Sequence, residues 1–317
     1  MTPKPKRLKN FFITVFLLLF IPTVVLGQNK VVMKFGVLPA LQALPLFVAE
    51  SKGLFPKFGL DVDLILFNTA AEKDIALASG SLDGCFADLV TPLVLKGNSR
   101  DIVIVAKNYD TRHDRRMFAI LAKPGSKVSS VKDLDGKPVA IASNTVVDLV
   151  NEKLQTQAGV PREKINTIES KNIGLRFQAL LNGQLEAAVL PEPLVTVAVS
   201  KGARILIDDA GLGESQTALV FTREFVTKHP ELAKSFLAAL QAANDLINGD
   251  PDSVRDVMVE KVRLPVALKL QYPVPRFPKL AAPDRDALEN IAGWLKQRGV
   301  IRSTVSYEQV VNGELVP

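Results

Sequence analysis

One carboxylate, Glu192, lies between two prolines in an otherwise apolar run, AAVLPEPLVTVA (187–198). A buried acid without a partner is costly, so Glu192 is expected to meet a cation or a hydrogen-bond donor, or to lie where a strand ends in open space. The run predicts a strand over 186–190 and a helix over 194–200. At such a helix start the helix dipole favours an acid, and proline is tolerated. The alternative interpretation is an acid that simply faces water.

Polar residues follow five other predicted strands at the same kind of position. Each lies between the carboxyl end of a strand and the start of the next helix, where open α/β sheets bind ligands and free helix N–H groups suit an anion. The expected ligand-binding residues are Gln42, Ala43, Leu44, Thr69, Ala70, Asp88, Leu89, Thr91, Ser143, Asn144, Thr145, Asn172 and Glu192. Arg176 is an alternative to Asn172 in the same helix. For Thr69, Ser143 and Asp88, an ordinary helix cap is the competing interpretation.

The common catalytic and metal-binding motifs are absent from the sequence. Its two histidines, His113 and His229, have no metal-ligand spacing, and the chain has no G-x-S-x-G, P-loop or G-x-G-x-x-G motif. Cys85 is the only cysteine, which excludes a C-x-x-C pair and an intramolecular disulfide. We therefore expect no metal, no cofactor and no enzymatic activity, with a hydrolase as the least favoured class.

The N-terminus has the pattern of an export signal. Four basic residues lie within positions 4–9, an apolar core covers 11–26, and small residues occur at the expected cleavage position. We expect cleavage after Gly27 and a periplasmic mature chain. No cysteine follows the core, so a lipoprotein is not expected. An uncleaved anchor is the alternative, although the core is shorter than the ~20 residues that span a bilayer.

Removal of this signal leaves a nearly neutral chain, with 35 basic against 33 acidic residues. This balance gives no reason to expect nucleic-acid binding, and no second segment is apolar enough to span a membrane. The mature length favours two compact lobes over one core.

Short apolar runs alternate with helical patterns from Val31 onward, and the pattern restarts near Phe118. Such alternation predicts an α/β fold of two lobes, each a mainly parallel sheet flanked by helices. The residues after 222 are mostly helical and are expected to pack on the first lobe. The chain then crosses twice, near 118–126 and 216–223, which makes a hinge. The expected divisions are a signal (1–27), the first part of lobe 1 (28–117), lobe 2 (118–221) and the completion of lobe 1 (222–317).

Several segments, taken together and in order, resemble a known family. They are PLFVAESKGLF (45–55), ALASGSLDGCFAD (76–88), SSVKDLDGKPVAIA (129–142), ALLNGQLEAAVLPEPL (179–194) and WLKQRGVI (294–301). They resemble the nitrate, sulfonate, taurine and thiamine-precursor family of ABC-transporter substrate-binding proteins, which have the type II periplasmic binding fold. The resemblance covers essentially the whole mature chain.

This resemblance implies a hinged, monomeric protein that closes on one small ligand. The implied function is to capture an anionic or heterocyclic solute and to deliver it to an ABC permease. An exported ligand-sensing module that regulates a membrane signalling partner is the alternative. A relative that makes the thiamine pyrimidine uses a cysteine-rich segment and histidines, both of which this chain lacks, so that activity is not expected.

The densest charge cluster is YDTRHDRR, residues 109–116. It lies next to the first predicted crossing between the lobes. Two interpretations are open: a solvated loop, or a surface that holds an anionic ligand or docks on the permease.

Overall fold

The computed structural model describes residues 1–4, 31–111, 115–134 and 136–315. Most of the expected signal, as well as His113, therefore lies outside the described residues. Within the described ranges, no helix combines the length and the apolar character needed to cross a membrane.

In the described part of the chain, ten strands form two five-stranded sheets. The first sheet has the order β2-β1-β3-β10-β4 and contains β1 (Val32–Val37), β2 (Asp61–Leu66), β3 (Gly84–Asp88), β4 (Ile102–Asp110) and β10 (Gln216–Thr222). The second has the order β7-β6-β8-β5-β9 and contains β5 (Phe118–Ala122), β6 (Val139–Ile141), β7 (Thr167–Glu169), β8 (Ala187–Pro191) and β9 (Arg204–Asp208).

Each sheet is parallel except for one strand. In the first sheet, β1 pairs in parallel with β2 and β3, whereas β10 is antiparallel to β3 and β4. In the second, β6 is parallel to β7 and β8, whereas β5 is antiparallel to β8 and β9. The reversed strand is in each case the first one after the chain passes from one sheet to the other. The predicted α/β fold with mainly parallel sheets is confirmed.

The two crossing segments are residues 111–117 and 209–215, because β4 and β9 end one sheet and β5 and β10 begin the next. Both lie a few residues before the expected positions. The strand 216–222 belongs to the first sheet, so the expected boundary at 221 does not match the strand pairing. The local sequence of a strand does not indicate which sheet it joins, because strand pairing depends on tertiary contacts.

Helices cover the faces of both sheets. They are α1 (Leu44–Ser51), α2 (Leu54–Lys57), α3 (Ala70–Ala78), α4 (Val90–Gly97), α5 (Val146–Gln157), α6 (Ile173–Leu181), α7 (Leu194–Ser200), α8 (Arg223–Lys228), α9 (Pro230–Gly249), α10 (Arg255–Lys261), α11 (Arg285–Gln297) and α12 (Tyr307–Val310).

The C-terminal helices pack on the first sheet and its helices, as expected. Helix α9 contacts α1 and α2, and α11 contacts α4. Phe236 of α9 anchors this core, with its ring centroid 4.7 Å from that of Phe35 on β1 and 5.4 Å from that of Phe221 on β10. The last helices thus fix the position of the first sheet.

Candidate ligand-binding cleft

A cavity of about 150 Å³ lies between the carboxyl ends of the parallel strands of the two sheets. Residues of both sheets and of the helices that follow them form its walls. Cavities of about this volume accommodate a molecule such as benzene. We call this cavity the cleft. It has room for a small solute in the present arrangement of the sheets.

Seven of the thirteen expected residues line the cleft, namely Gln42, Thr69, Ala70, Asp88, Thr91, Ser143 and Thr145. The other six lie elsewhere. Ala43, Leu44 and Leu89 are buried in the core of the first sheet. Asn172 caps α6 by accepting from the Leu175 N–H, while the Asn144 N–H donates to Asp148. Glu192 lies in a neighbouring pocket.

At two of these positions, a residue that caps a helix also lines the cleft. The Thr69 hydroxyl accepts from the Glu72 N–H at 3.1 Å and caps α3, and the Thr145 hydroxyl accepts from the Val147 N–H at 3.1 Å and caps α5. Ser143, considered a cap from the sequence, instead has its N–H and hydroxyl bonded to the Glu169 carboxylate. A helix cap and a cleft residue are therefore not exclusive roles.

The first-sheet wall presents two polar atoms without partners. Gln42 and Thr217 are 3% and 7% exposed, and neither the Gln42 Nε2 nor the Thr217 Oγ1 has a hydrogen-bond partner among the residues that the structure describes. A buried polar group left unpaired costs about 1–3 kcal/mol. Both residues line the cleft, so a bound ligand can satisfy them.

Thr217 was missed because β10 is reversed. The residues expected from the sequence all follow the carboxyl ends of predicted strands, whereas Thr217 lies at the start of its strand. Since β10 is antiparallel to β3, Thr217 pairs with Asp88 and reaches the same edge of the sheet. No local signal in the sequence marks this position.

Lys73 forms part of the cleft floor and is 1% exposed. Its Nζ lies 2.5 Å from an Asp74 oxygen and 3.5 Å from the Cys85 sulfur. Burial alone lowers the pKa of the Lys73 ammonium, but Cys85 and Asp74 raise it above its ordinary value. Burial raises the pKa of Cys85 to about 11, although the neighbouring Lys73 opposes this.

The spacing along α3 could have identified Lys73. It follows Ala70 by three residues and precedes Leu77 by four, which places it on the buried face of the helix. A lysine at such a position requires a nearby acid, and Asp74 supplies one.

Asp88 connects the two sides of the cleft. Its Oδ1 accepts from the Thr91 N–H at 2.8 Å at the start of α4, and its Oδ2 accepts from the Val146 N–H of α5 at 3.4 Å. Burial raises its pKa although both N–H groups oppose this. The carboxylate thus occupies the N-terminus of a helix that belongs to the opposite sheet.

Arg176 supplies a buried cation on the second-sheet wall and has no exposed surface. Its Nε donates to the Val189 carbonyl at 2.8 Å and its Nη1 to the Ser170 carbonyl at 2.5 Å. Burial lowers its pKa to about 10, so it remains charged near pH 7. The Glu169 carboxylate partly opposes this lowering. Among the residues that the structure describes, the guanidinium donates to these two backbone carbonyls. The second-sheet wall therefore carries a buried positive charge whose hydrogen bonds go to carbonyl groups.

Glu192 meets the cation and the donors that its apolar surroundings require. Arg116 Nε donates to its Oε1 at 2.8 Å, Tyr272 OH donates to its Oε2 at 3.1 Å, and the Thr196 hydroxyl donates to Oε1 at 3.0 Å. Arg116 lies in the first crossing segment, and Tyr272 lies between α10 and α11. Glu192 therefore connects the segment after β8 with two distant parts of the chain, outside the cleft.

Metal binding finds no support in the described part of the chain, which contains no cluster of three or more histidine, cysteine or acidic residues suited to an ion. The cleft combines apolar walls, formed in part by Phe86, Phe118 and Val146, with the buried Arg176 cation and with two buried polar atoms that have no partner among the described residues. Such an arrangement is typical of a site for a small organic molecule.

Comparison with known proteins assigns the chain to a family. Residues 40–254, more than half of the chain, match the family model described as NMT1/THI5 like. The chain belongs to the NMT1/THI5-like family. Among solved structures, this NMT1/THI5-like chain resembles the alkanesulfonate-binding protein SsuA from Xanthomonas axonopodis pv. citri bound to MOPS. The TM-score is 0.77 at 20% identity, over 89% of this chain and 98% of that chain. The fold is that of the periplasmic binding proteins.

Curated relatives of this NMT1/THI5-like chain include proteins named for binding and proteins named for catalysis. A candidate binding protein of Brucella abortus (strain 2308) is 24% identical over 263 residues, covering 81% of this chain and 79% of the relative. The 4-amino-5-hydroxymethyl-2-methylpyrimidine phosphate synthase of Uromyces fabae is 24% identical over 225 residues, covering 66% and 64%. Family membership alone therefore does not decide between the two classes.

Proposed function

We propose that the protein is a periplasmic solute-binding protein that captures a small solute in the cleft and delivers it to an ABC permease. The observation that carries this proposal is the set of buried polar groups in one cavity. Among the described residues, Gln42 Nε2 and Thr217 Oγ1 on the first wall have no hydrogen-bond partner, and the second wall holds the Arg176 cation. One ligand that contacts both walls would interact with all three.

The cleft favours a small solute with an acidic group and an apolar body. Arg176 is a buried cation that donates to backbone carbonyls, so an acidic group of the ligand would supply a charged acceptor in direct contact with it. Phe86, Phe118 and Val146 provide apolar surface for the remainder. The volume of about 150 Å³ limits that body to about the size of a benzene ring. The sulfonate MOPS in the SsuA structure is a suitable first probe.

Closure of the two lobes would couple capture to delivery. The segments 111–117 and 209–215 are the two covalent connections between the sheets and serve as the hinge in this proposal. Contacts such as the Asp88 to Val146 hydrogen bond exist only when the walls are close. A ligand that adds contacts to both walls shifts the population toward the closed form. The export signal expected over 1–27 would place this cycle in the periplasm.

Binding is tested by thermal shift and calorimetry with MOPS, short alkanesulfonates, aromatic carboxylates, nitrate, pyrimidines and amino acids. A ligand that binds only the folded state raises the melting temperature. The Arg176→Gln variant is expected to weaken binding of an anionic hit by about tenfold or more. The control variant is Arg302→Gln, since Arg302 is an exposed arginine outside the cleft.

Two results would contradict the proposal. The first is a panel in which no compound raises the melting temperature of the wild type. The second is a hit that binds Arg176→Gln as tightly as it binds Arg302→Gln. Circular dichroism of each variant shows whether the fold is intact.

A further inference from the structure

A second pocket, of about 480 Å³, opens next to the crossing segments. We call it the arginine pocket and define it by Tyr109, Arg115, Arg116, Glu192, Tyr272 and Arg276. None of its lining residues also lines the cleft. The two pockets are therefore separate sites, and the proposed solute site does not account for the second one.

The acidic groups of the arginine pocket are already compensated. Glu192 accepts hydrogen bonds from Arg116, Tyr272 and Thr196. Asp208, also in the lining, has one oxygen 3.6 Å from Arg116 Nη1 and accepts from the Ala210 N–H with the other. Of the three arginines, Arg116 thus forms ion pairs with both carboxylates.

The remaining two arginines are held close to each other. Arg115 Nη1 donates to the backbone carbonyl of Arg276 at 2.7 Å, and the Arg115 guanidinium lies 5.2 Å from the centroid of the Tyr109 ring. In the ranges that the structure describes, neither Arg115 nor Arg276 forms an ion pair with a carboxylate. A bound anion would supply both arginines with a charged acceptor.

We propose that the arginine pocket binds a small organic polyanion that carries carboxylate or phosphate groups. Guanidinium groups present planar pairs of donors that match both kinds of anion. The wall formed by Pro273, Val274 and Pro275 offers apolar contact to a carbon skeleton. The larger volume suits a molecule with more than one acidic group, in contrast to the cleft.

The walls of the arginine pocket come from both halves of the molecule. Tyr109 ends β4 of the first sheet, Glu192 follows β8 of the second, and Arg115 lies in the first crossing segment. A change of the angle between the sheets would alter the pocket. A polyanion bound there would therefore also change the affinity of the cleft for its solute, and the reverse. This coupling, unlike the binding itself, rests on the proposed function.

The experiment uses citrate and inorganic phosphate as probes, with sodium chloride at matched ionic strength, and no solute for the cleft. Calorimetry is expected to show saturable citrate binding to the wild type. The double variant Arg115→Gln/Arg276→Gln is expected to bind citrate at least about tenfold more weakly. Arg100→Gln/Arg302→Gln removes two exposed arginines elsewhere and should bind as the wild type does. If phosphate binds as tightly as citrate, the natural ligand is expected to carry a phosphate group. If citrate binds more tightly, the natural ligand is expected to be a polycarboxylate.

The proposal is overturned if citrate and phosphate fail to bind below about 10 mM, or if the two double variants bind them equally. Arg176→Gln separates the two sites. If that variant loses the cleft solute but keeps citrate, both proposals stand. If citrate binding survives while no cleft solute is found, only the proposed function fails.

Discussion

Replacing Asp209 by asparagine is expected to remove a pH-dependent destabilisation of the native state. Asp209 begins the second crossing segment, and its Oδ1 accepts from the N–H groups of Met117 and Phe118 at 2.8 and 2.9 Å, on the first segment. The residue has no exposed surface, and the Ser215 hydroxyl lies close to its carboxyl. Burial raises its pKa to about 6 from an ordinary value of 3.8. This carboxyl holds the two connections together.

The sign follows from proton linkage. The native state binds this proton more tightly than the unfolded state, so the free energy of unfolding falls as the pH rises from about 4 to about 6. A difference of about two pKa units corresponds to ~3 kcal/mol, as an order of magnitude. Asparagine retains the accepting oxygen and carries no charge to desolvate. The stability of the variant minus that of the wild type should therefore increase by up to ~3 kcal/mol between about pH 4 and pH 7.

Urea unfolding followed by circular dichroism at several pH values measures this difference. Other titrating groups cancel because both proteins contain them. Asp63→Asn, which changes an exposed carboxylate, serves as the matched control variant. A constant difference for Asp209→Asn over the same range would refute the assignment of a raised pKa to this buried carboxyl.

Two further substitutions test the packing around the cleft. Arg298→Gln should lower the free energy of unfolding by about 2 kcal/mol in urea unfolding. The reason is that Arg298 donates to the buried carboxylates of Asp148 and Glu152 at 2.9 and 2.7 Å. An unchanged unfolding midpoint would contradict this. Phe236→Ala should lower the free energy of unfolding by about 4 kcal/mol in the same assay, since the Phe236 ring contacts those of Phe35 and Phe221. A decrease below about 1 kcal/mol would contradict this and show that the core tolerates a cavity.

The sequence predicts the order and bounds of most elements because their signals are local. The strand expected over 186–190 is observed as Ala187–Pro191, and the helix expected over 194–200 as Leu194–Ser200. Alternation of apolar residues and helix-ending glycines suffices for this. The placement of β10 between β3 and β4 depends on contacts between distant parts of the chain, and no local pattern encodes it.

The candidate site was predictable in backbone position but less so in side-chain direction. Residues after strand ends do lie at the cleft, yet Ala43, Leu44 and Leu89 turn into the core. The partner of Glu192 could not be predicted, because Arg116 comes from a charge cluster 76 residues away in the chain. Arg176 was considered only as an alternative to Asn172, although it is the one that lines the cleft.

The most direct test of the account is a crystal structure of the protein with its tightest-binding solute from the panel. The account predicts density for the solute between the two sheets, with its acidic group on the Arg176 guanidinium and polar contacts to Gln42 Nε2 and Thr217 Oγ1. Density for the solute on an outer surface would contradict this prediction. So would a solute in the cleft that makes no contact with those three groups.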